Sequence, residues 1–93
     1  MGRAPRDRPK HLAAKLLAIR EKIGASQSQL AKLLNFDKGA ARICEYEHGV
    51  REPSLLTLLR YSRLARVSIN VLVDDDLELK FPKRWRQPKP FRR

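Results

Sequence analysis

The chain has 93 residues, 42% of them hydrophobic, a formal net charge of +11 and a single cysteine. That length suits one small domain with little room for a substrate cavity beside its core, and the lone Cys44 excludes an intrachain disulfide and fits a reducing compartment. No apolar run reaches the roughly 18 residues of a membrane span, and no apolar stretch follows the basic start "MGRAPRDRPK" to make a secretory signal.

Residues 1–11 carry Arg3, Arg6, Arg8 and Lys10 against Asp7, a basic N-terminal arm of +3. From Leu12 to Ile23 the apolar residues Leu12, Leu16, Ile19 and Ile23 recur on one helical face, with Lys15 and Lys22 reading as residues away from it. Gly24 stops this first helix. Ser26 is a plausible N-cap for a short second helix in "QSQLAKLL", and Gln29 three residues later fits a capping box. "NFDKG" reads as a turn. A third helix is predicted over about Ala40 to His48, with Ile43 and Tyr46 inward and Gly49 as its stop. Ser54 caps a fourth, "LLTLLRYSRLA", whose inner stripe reads as Leu55, Leu58, Leu59 and Ser62, and Ser68 caps a last short helix, "INVLV".

Residues 12–79 hold almost balanced charge, +1 in all, whereas 80–93 hold seven basic side chains and no acid. Three prolines lie in that tail, which is therefore predicted to be extended or disordered. The expected fold class is all-α, a compact bundle of five short helices with basic N- and C-terminal arms. The expected divisions are the arm 1–11, a helical domain 12–76 and the tail 77–93. Two basic arms on a nearly neutral body fit a polyanionic partner, or serve only for solubility.

Helices two and three, both short and joined by a tight turn, have the shape of a helix-turn-helix, in which the second helix enters the major groove of DNA. The residues sharpen this: "SQxxLA" at Ser26, Gln27, Leu30 and Ala31, "IxxYExG" at Ile43, Tyr46, Glu47 and Gly49, and "PSLxTL" from Pro53. Over about residues 12–73 the chain resembles the lambda-repressor/Cro-like family of helix-turn-helix domains, often called Xre. The segment 37–42, "DKGAAR", is two residues longer than the usual family turn, and Ala40 and Ala41 stand where readers often carry Gln, Ser or Thr.

The resemblance implies an inward Glu47 paired with Arg20 of helix one, a structural ion pair. It sets Glu45 toward the bases, one helical turn from Arg42. Three readings of Glu45 stand: it orients Arg42 toward guanine or phosphate, it accepts from cytosine N4, or it is only solvated. Ala40 and Ala41 are limited to apolar contact, as with a thymine methyl. Ser26, Gln27 and Ser28 open helix two and are expected on the phosphate backbone, with Ser26 also a cap. Lys38 in the turn, and His48 and Arg51 past helix three, are placed for phosphate. Arg84 and Arg86 belong to the tail, whose Phe81, Trp85 and Phe91 can stack on exposed bases or fill a protein pocket. The two histidines lack metal-ligand spacing, so no metal is expected, and Cys44 reads as a small tolerated side chain rather than a redox switch.

No catalytic constellation and no cofactor motif is present. The expected function is sequence-specific binding of double-stranded DNA by a cytoplasmic, nucleoid-associated transcription regulator acting as a homodimer. Leucines of helix four with Ile69 and Leu72 of helix five can form the dimer interface or only core. The alternative is an interaction module that docks to a larger nucleic-acid-processing complex, the tail meeting a protein partner and the arms gripping DNA or RNA non-specifically. Membrane binding is not expected, since the tail lacks an amphipathic helix.

Overall fold

A computed structural model of the chain describes residues 8–37, 39–89 and 91. Among the described residues five helices follow one another: α1 Leu12–Ile23, α2 Gln27–Leu33, α3 Ala40–Glu47, α4 Leu55–Ala65 and α5 Ile69–Val73. The fold is all-α, with no strand among the described residues. Among the described residues no helix is long and apolar enough to cross a membrane.

Local chemistry accounts for the boundaries. Gly24 adopts φ +83, and this left-handed turn lets its N–H reach the carbonyls of Arg20 and Glu21, closing α1. Ser26 Oγ accepts from the Gln29 N–H at 3.1 Å while Gln29 Oε1 accepts from the Ser26 N–H at 2.8 Å, so the capping box is complete. Ser54 Oγ likewise accepts from the Thr57 N–H at the start of α4. Ser68 stands before α5, but its side chain makes no cap hydrogen bond. α3 ends at Glu47, with His48 as its C-cap.

α1 is the hub, packing on α3, α4 and α5, while α2 packs on α3. Leu16, Ile19, Ile23, Leu30, Leu34, Ile43, Tyr61 and Leu72 are fully buried around it. Each such aliphatic side chain contributes about 1.5–3 kcal/mol relative to exposure.

Three sequence-based expectations are corrected here. Lys15 does not point away from the core. It is 7% exposed, and its Nζ donates to the carbonyls of Val71, Asp74 and Leu77 at 2.8, 3.0 and 2.8 Å. Its place on the flank of the apolar stripe, three residues from Leu12 and four from Ile19, lets the stem pack while the ammonium neutralises the carbonyl end of α5.

The α4 stripe is also shifted. Thr57, Leu58, Tyr61, Ser62 and Ala65 face inward, whereas Leu55 is 73% exposed. A leucine on the flank of the stripe in the first turn lies past the edge of what neighbouring helices cover. Leu72 is core, whereas Ile69 of α5 is half-buried.

The third correction concerns the tail. It has no helix or strand, yet Leu79, Phe81, Trp85 and Phe91 pack against the core. Trp85 Nε1 donates to the Leu64 carbonyl at 2.9 Å, and Gln87 Nε2 donates to the Ile23 carbonyl at 2.7 Å. Lys22 Nζ sits 5.4 Å from the Phe81 ring and 5.5 Å from the Trp85 ring, in cation–π range. The aromatics fill an apolar seat of the chain's own making and are not held out for bases.

Candidate nucleic-acid interface

The turn between α2 and α3 spans residues 34–39 and is fixed at both ends. Arg60 of α4 reaches across to donate to the Leu34 and Asn35 carbonyls at 3.2 and 3.3 Å, closing the C-terminus of α2. Phe36 lies on Tyr46 of α3, with ring centroids 6.1 Å apart. Gly39, the N-cap of α3, has φ +77 and ψ −169, a conformation essentially reserved for glycine. The start of α3 therefore depends on the absence of a side chain at that position.

The depth of α3 is set by Glu47. Its carboxylate is only 3% exposed and accepts from Arg20 Nε at 2.7 Å and from an Arg20 terminal nitrogen at 3.0 Å, a bidentate pair between α1 and α3. Gln27 Nε2 adds a third bond to Glu47 at 3.1 Å, and Arg20 also donates to the Ala25 carbonyl at 3.2 Å. One acid thus joins α1, α2 and α3.

With Ile43, Tyr46 and Glu47 turned inward, Ala41, Glu45 and His48 form the outward stripe at i, i+4 and i+7. Ala41 and His48 are exposed; Ala40, Arg42 and Cys44 are half-buried beside them. Glu45 Oε1 lies 3.0 Å from Arg42 Nε and 3.2 Å from Arg51 Nε, so the acid is held between two arginines. The three side chains sum to one positive charge, which removes most of the penalty of a carboxylate near phosphate. Pairs this open contribute at most about 1 kcal/mol to stability; their effect is to restrict two guanidinium groups. His48 Nδ1 lies 2.8 Å from the Cys44 carbonyl oxygen and 3.4 Å from Cys44 Sγ, so Nε2 is the ring nitrogen turned to other partners.

Of the other sequence-predicted residues, Ser26 and Ser28 are exposed and Gln27 is half-buried on Glu47. Lys38 lies outside the described residues, as do Arg3, Arg6, Arg92 and Arg93. Arg84 and Arg86 are exposed on the tail, which is seated on α1 and α4 rather than on α3. Sequence reading missed Arg60 as the cap of α2 and Arg51 as a partner of Glu45. Neither carries a local signal, because each partner lies outside one helical turn. No group of three or more metal-binding side chains is present among the described residues.

A short helix, a tight turn and a second helix with one face buried and one face polar define a helix-turn-helix domain. The helix-turn-helix family matches residues 16–72, well over half of the chain. The P22 c2 repressor protein, solved in complex with synthetic operator 9T in the presence of Tl+, superposes with a TM-score of 0.62 at 25% identity. That likeness covers 70% of this chain and 96% of the repressor chain. No match is found among curated proteins. The chain belongs to the lambda-repressor-like (Xre) helix-turn-helix family, and its class is that of DNA-binding transcription regulators, a family of binding proteins rather than enzymes.

Proposed function

We propose that the protein binds double-stranded DNA in a sequence-dependent way, with α3 in the major groove. The observation that carries this reading is the polar stripe of α3, presented on a helix whose other side is locked by Glu47. Arg42, held at its Nε by Glu45, offers its guanidinium to guanine O6/N7 or a phosphate. Ala41 adds an apolar contact, and His48 and Arg51 meet the backbone on one side of α3. Ser26, Gln27 and Ser28 meet it on the other. The repressor that this fold resembles was solved on an operator, which supports the same mode here.

The protein acts as a homodimer on paired half-sites about 34 Å apart, one helical turn. Val50, Leu55 and Leu56 support this: 68%, 73% and 56% exposed, they put three large apolar side chains between positions 50 and 56.

The test is selection of duplexes from a random pool at about 150 mM salt, near physiological ionic strength. A single enriched motif is expected, with paired half-sites. Arg42→Ala and Glu45→Ala should each relax one or two positions of it, by roughly 10-fold. Enrichment of nothing, with binding retained, sinks the reading.

A further inference from the structure

The tail contains a device that helix-turn-helix contacts do not use. In "PKRW" the Trp85 N–H donates to the Pro82 carbonyl at 3.0 Å, and in "PKPF" the Phe91 N–H donates to the Pro88 carbonyl at 2.9 Å. These are two consecutive turns of one pattern: proline first, lysine second, an aromatic fourth. In each, the aromatic returns to the core while Lys83, Arg84 and Lys89 at the turns stay exposed, with Arg86 exposed between them. Gln87 fixes the strap to the last carbonyl of α1, and a Cβ on Gly24 would meet its Nε2 at 3.6 Å. The strap therefore passes the α1–α2 turn.

We propose that this strap is a preformed second DNA-contact surface: aromatic pegs hold Lys83, Arg84, Arg86 and Lys89 against duplex phosphates that flank the helix-turn-helix contact. The inference rests on the reading above for where α2 meets the duplex. A cation fixed in the free protein costs less ordering entropy on binding than one on a loose arm. Four fixed cations without a neighbouring acid in residues 80–91 match a backbone rather than a base edge. Trp85, Phe81 and Gln87 then act as positioning residues that do not touch the DNA.

Trp85 is the only tryptophan, so its emission reports the seat directly. Full-length protein is titrated with a mixed-sequence duplex of roughly 20 base pairs, two helical turns, between about 50 and 200 mM salt. Trp85 emission should keep its position and intensity on saturation, while the triple variant Arg84→Ala, Arg86→Ala, Lys89→Ala loses about 2–3 from the slope of log affinity against log salt. Gln87→Ala, which leaves the charges and the core in place, should lower affinity by roughly 3-fold or more through lost ordering.

Strong quenching or a red shift with DNA means that Trp85 leaves its seat, and overturns the proposal. So does an unchanged slope in the triple variant, or tail-dependent affinity seen only with a single-stranded RNA competitor. Gln87→Ala with wild-type affinity also sinks it, and shows a mobile arm. If tail effects appear but no duplex is ever preferred, it is the sequence-reading function of α3 that fails instead.

Discussion

The two ends of α1 are both held by charged side chains, but by different chemistry. Near its C-terminal end, Arg20 meets a true counter-charge in Glu47, and Gln27 completes the carboxylate's partners. Near its N-terminal end no acid–base pair is made among the described residues. Lys15 instead serves three carbonyls around the end of α5, and Asp75 serves two backbone N–H groups, those of Lys10 and His11, at 2.9 and 3.0 Å. The first end ties α1 to the two helices of the DNA-binding motif. The second ties it to α5 and the segment after it. Damage at the first end is therefore expected to reach DNA binding, and damage at the second only stability.

Arg20→Ala should produce the largest effect. It leaves the almost fully buried Glu47 without its cation, a loss of about 3 kcal/mol toward the low end for buried pairs because Arg20 is partly exposed. Urea unfolding measures the stability, and duplex affinity normalised to the folded fraction measures the motif. Affinity should fall further than unfolding alone explains. If it does not, α3 is positioned without Glu47.

Lys15→Met keeps the stem and removes the ammonium, leaving three carbonyls without their donor. A loss of about 2 kcal/mol is expected, with duplex affinity of the folded protein unchanged. A fall in affinity would join the two ends of α1 into one network.

These two residues also show what was legible in the sequence. Helix bounds were readable because their causes are local: Gly24 past the last apolar residue, Gln29 three positions after Ser26, Ser54 before a leucine run. Lys15 was not, because its partners lie 56 to 62 residues away and a lysine beside an apolar stripe looks like any surface lysine. The α4 stripe was half right: Leu58 and Ser62 are inside as expected, but Thr57, Tyr61 and Ala65 complete it in place of the greasier Leu55. The alternation of aromatic and cationic residues in the tail was visible, but its seat exists only after α1 and α4 have folded. The outward stripe of α3 follows from helical period once Ile43 and Tyr46 are inside, whereas the Arg51 contact to Glu45 depends on the path of a loop.

A smaller, pH-dependent effect is expected at Asp75. Its carboxyl is held below the usual carboxylate range, first by the Lys10 N–H and then by the His11 N–H. A depressed folded-state value means that the stabilisation is fully present above the unfolded value, near 4, and is lost as pH falls through the lower folded one. Melting temperatures of the wild type and Asp75→Asn should differ at pH 7 and converge in acid. Parallel curves would show that the two N–H groups gain nothing from the charge.

The smallest effect is expected where the first end of α1 meets α4. Tyr61 is fully buried, and its hydroxyl has no hydrogen-bond partner among the described residues. Burial, with a further contribution from the Glu47 charge, pushes its pKa well above the ordinary phenol value, so it stays neutral at any working pH. An unmet buried hydroxyl costs about 1 kcal/mol at the low end of its range, and Tyr61→Phe removes that cost while keeping the ring that fills the core. Stability should stay level or rise by up to about 1 kcal/mol, with duplex affinity unchanged. If Tyr61→Phe instead destabilises the protein and weakens DNA binding together, the hydroxyl is a working member of the Arg20–Glu47 group, and the lock that positions α3 extends into α4.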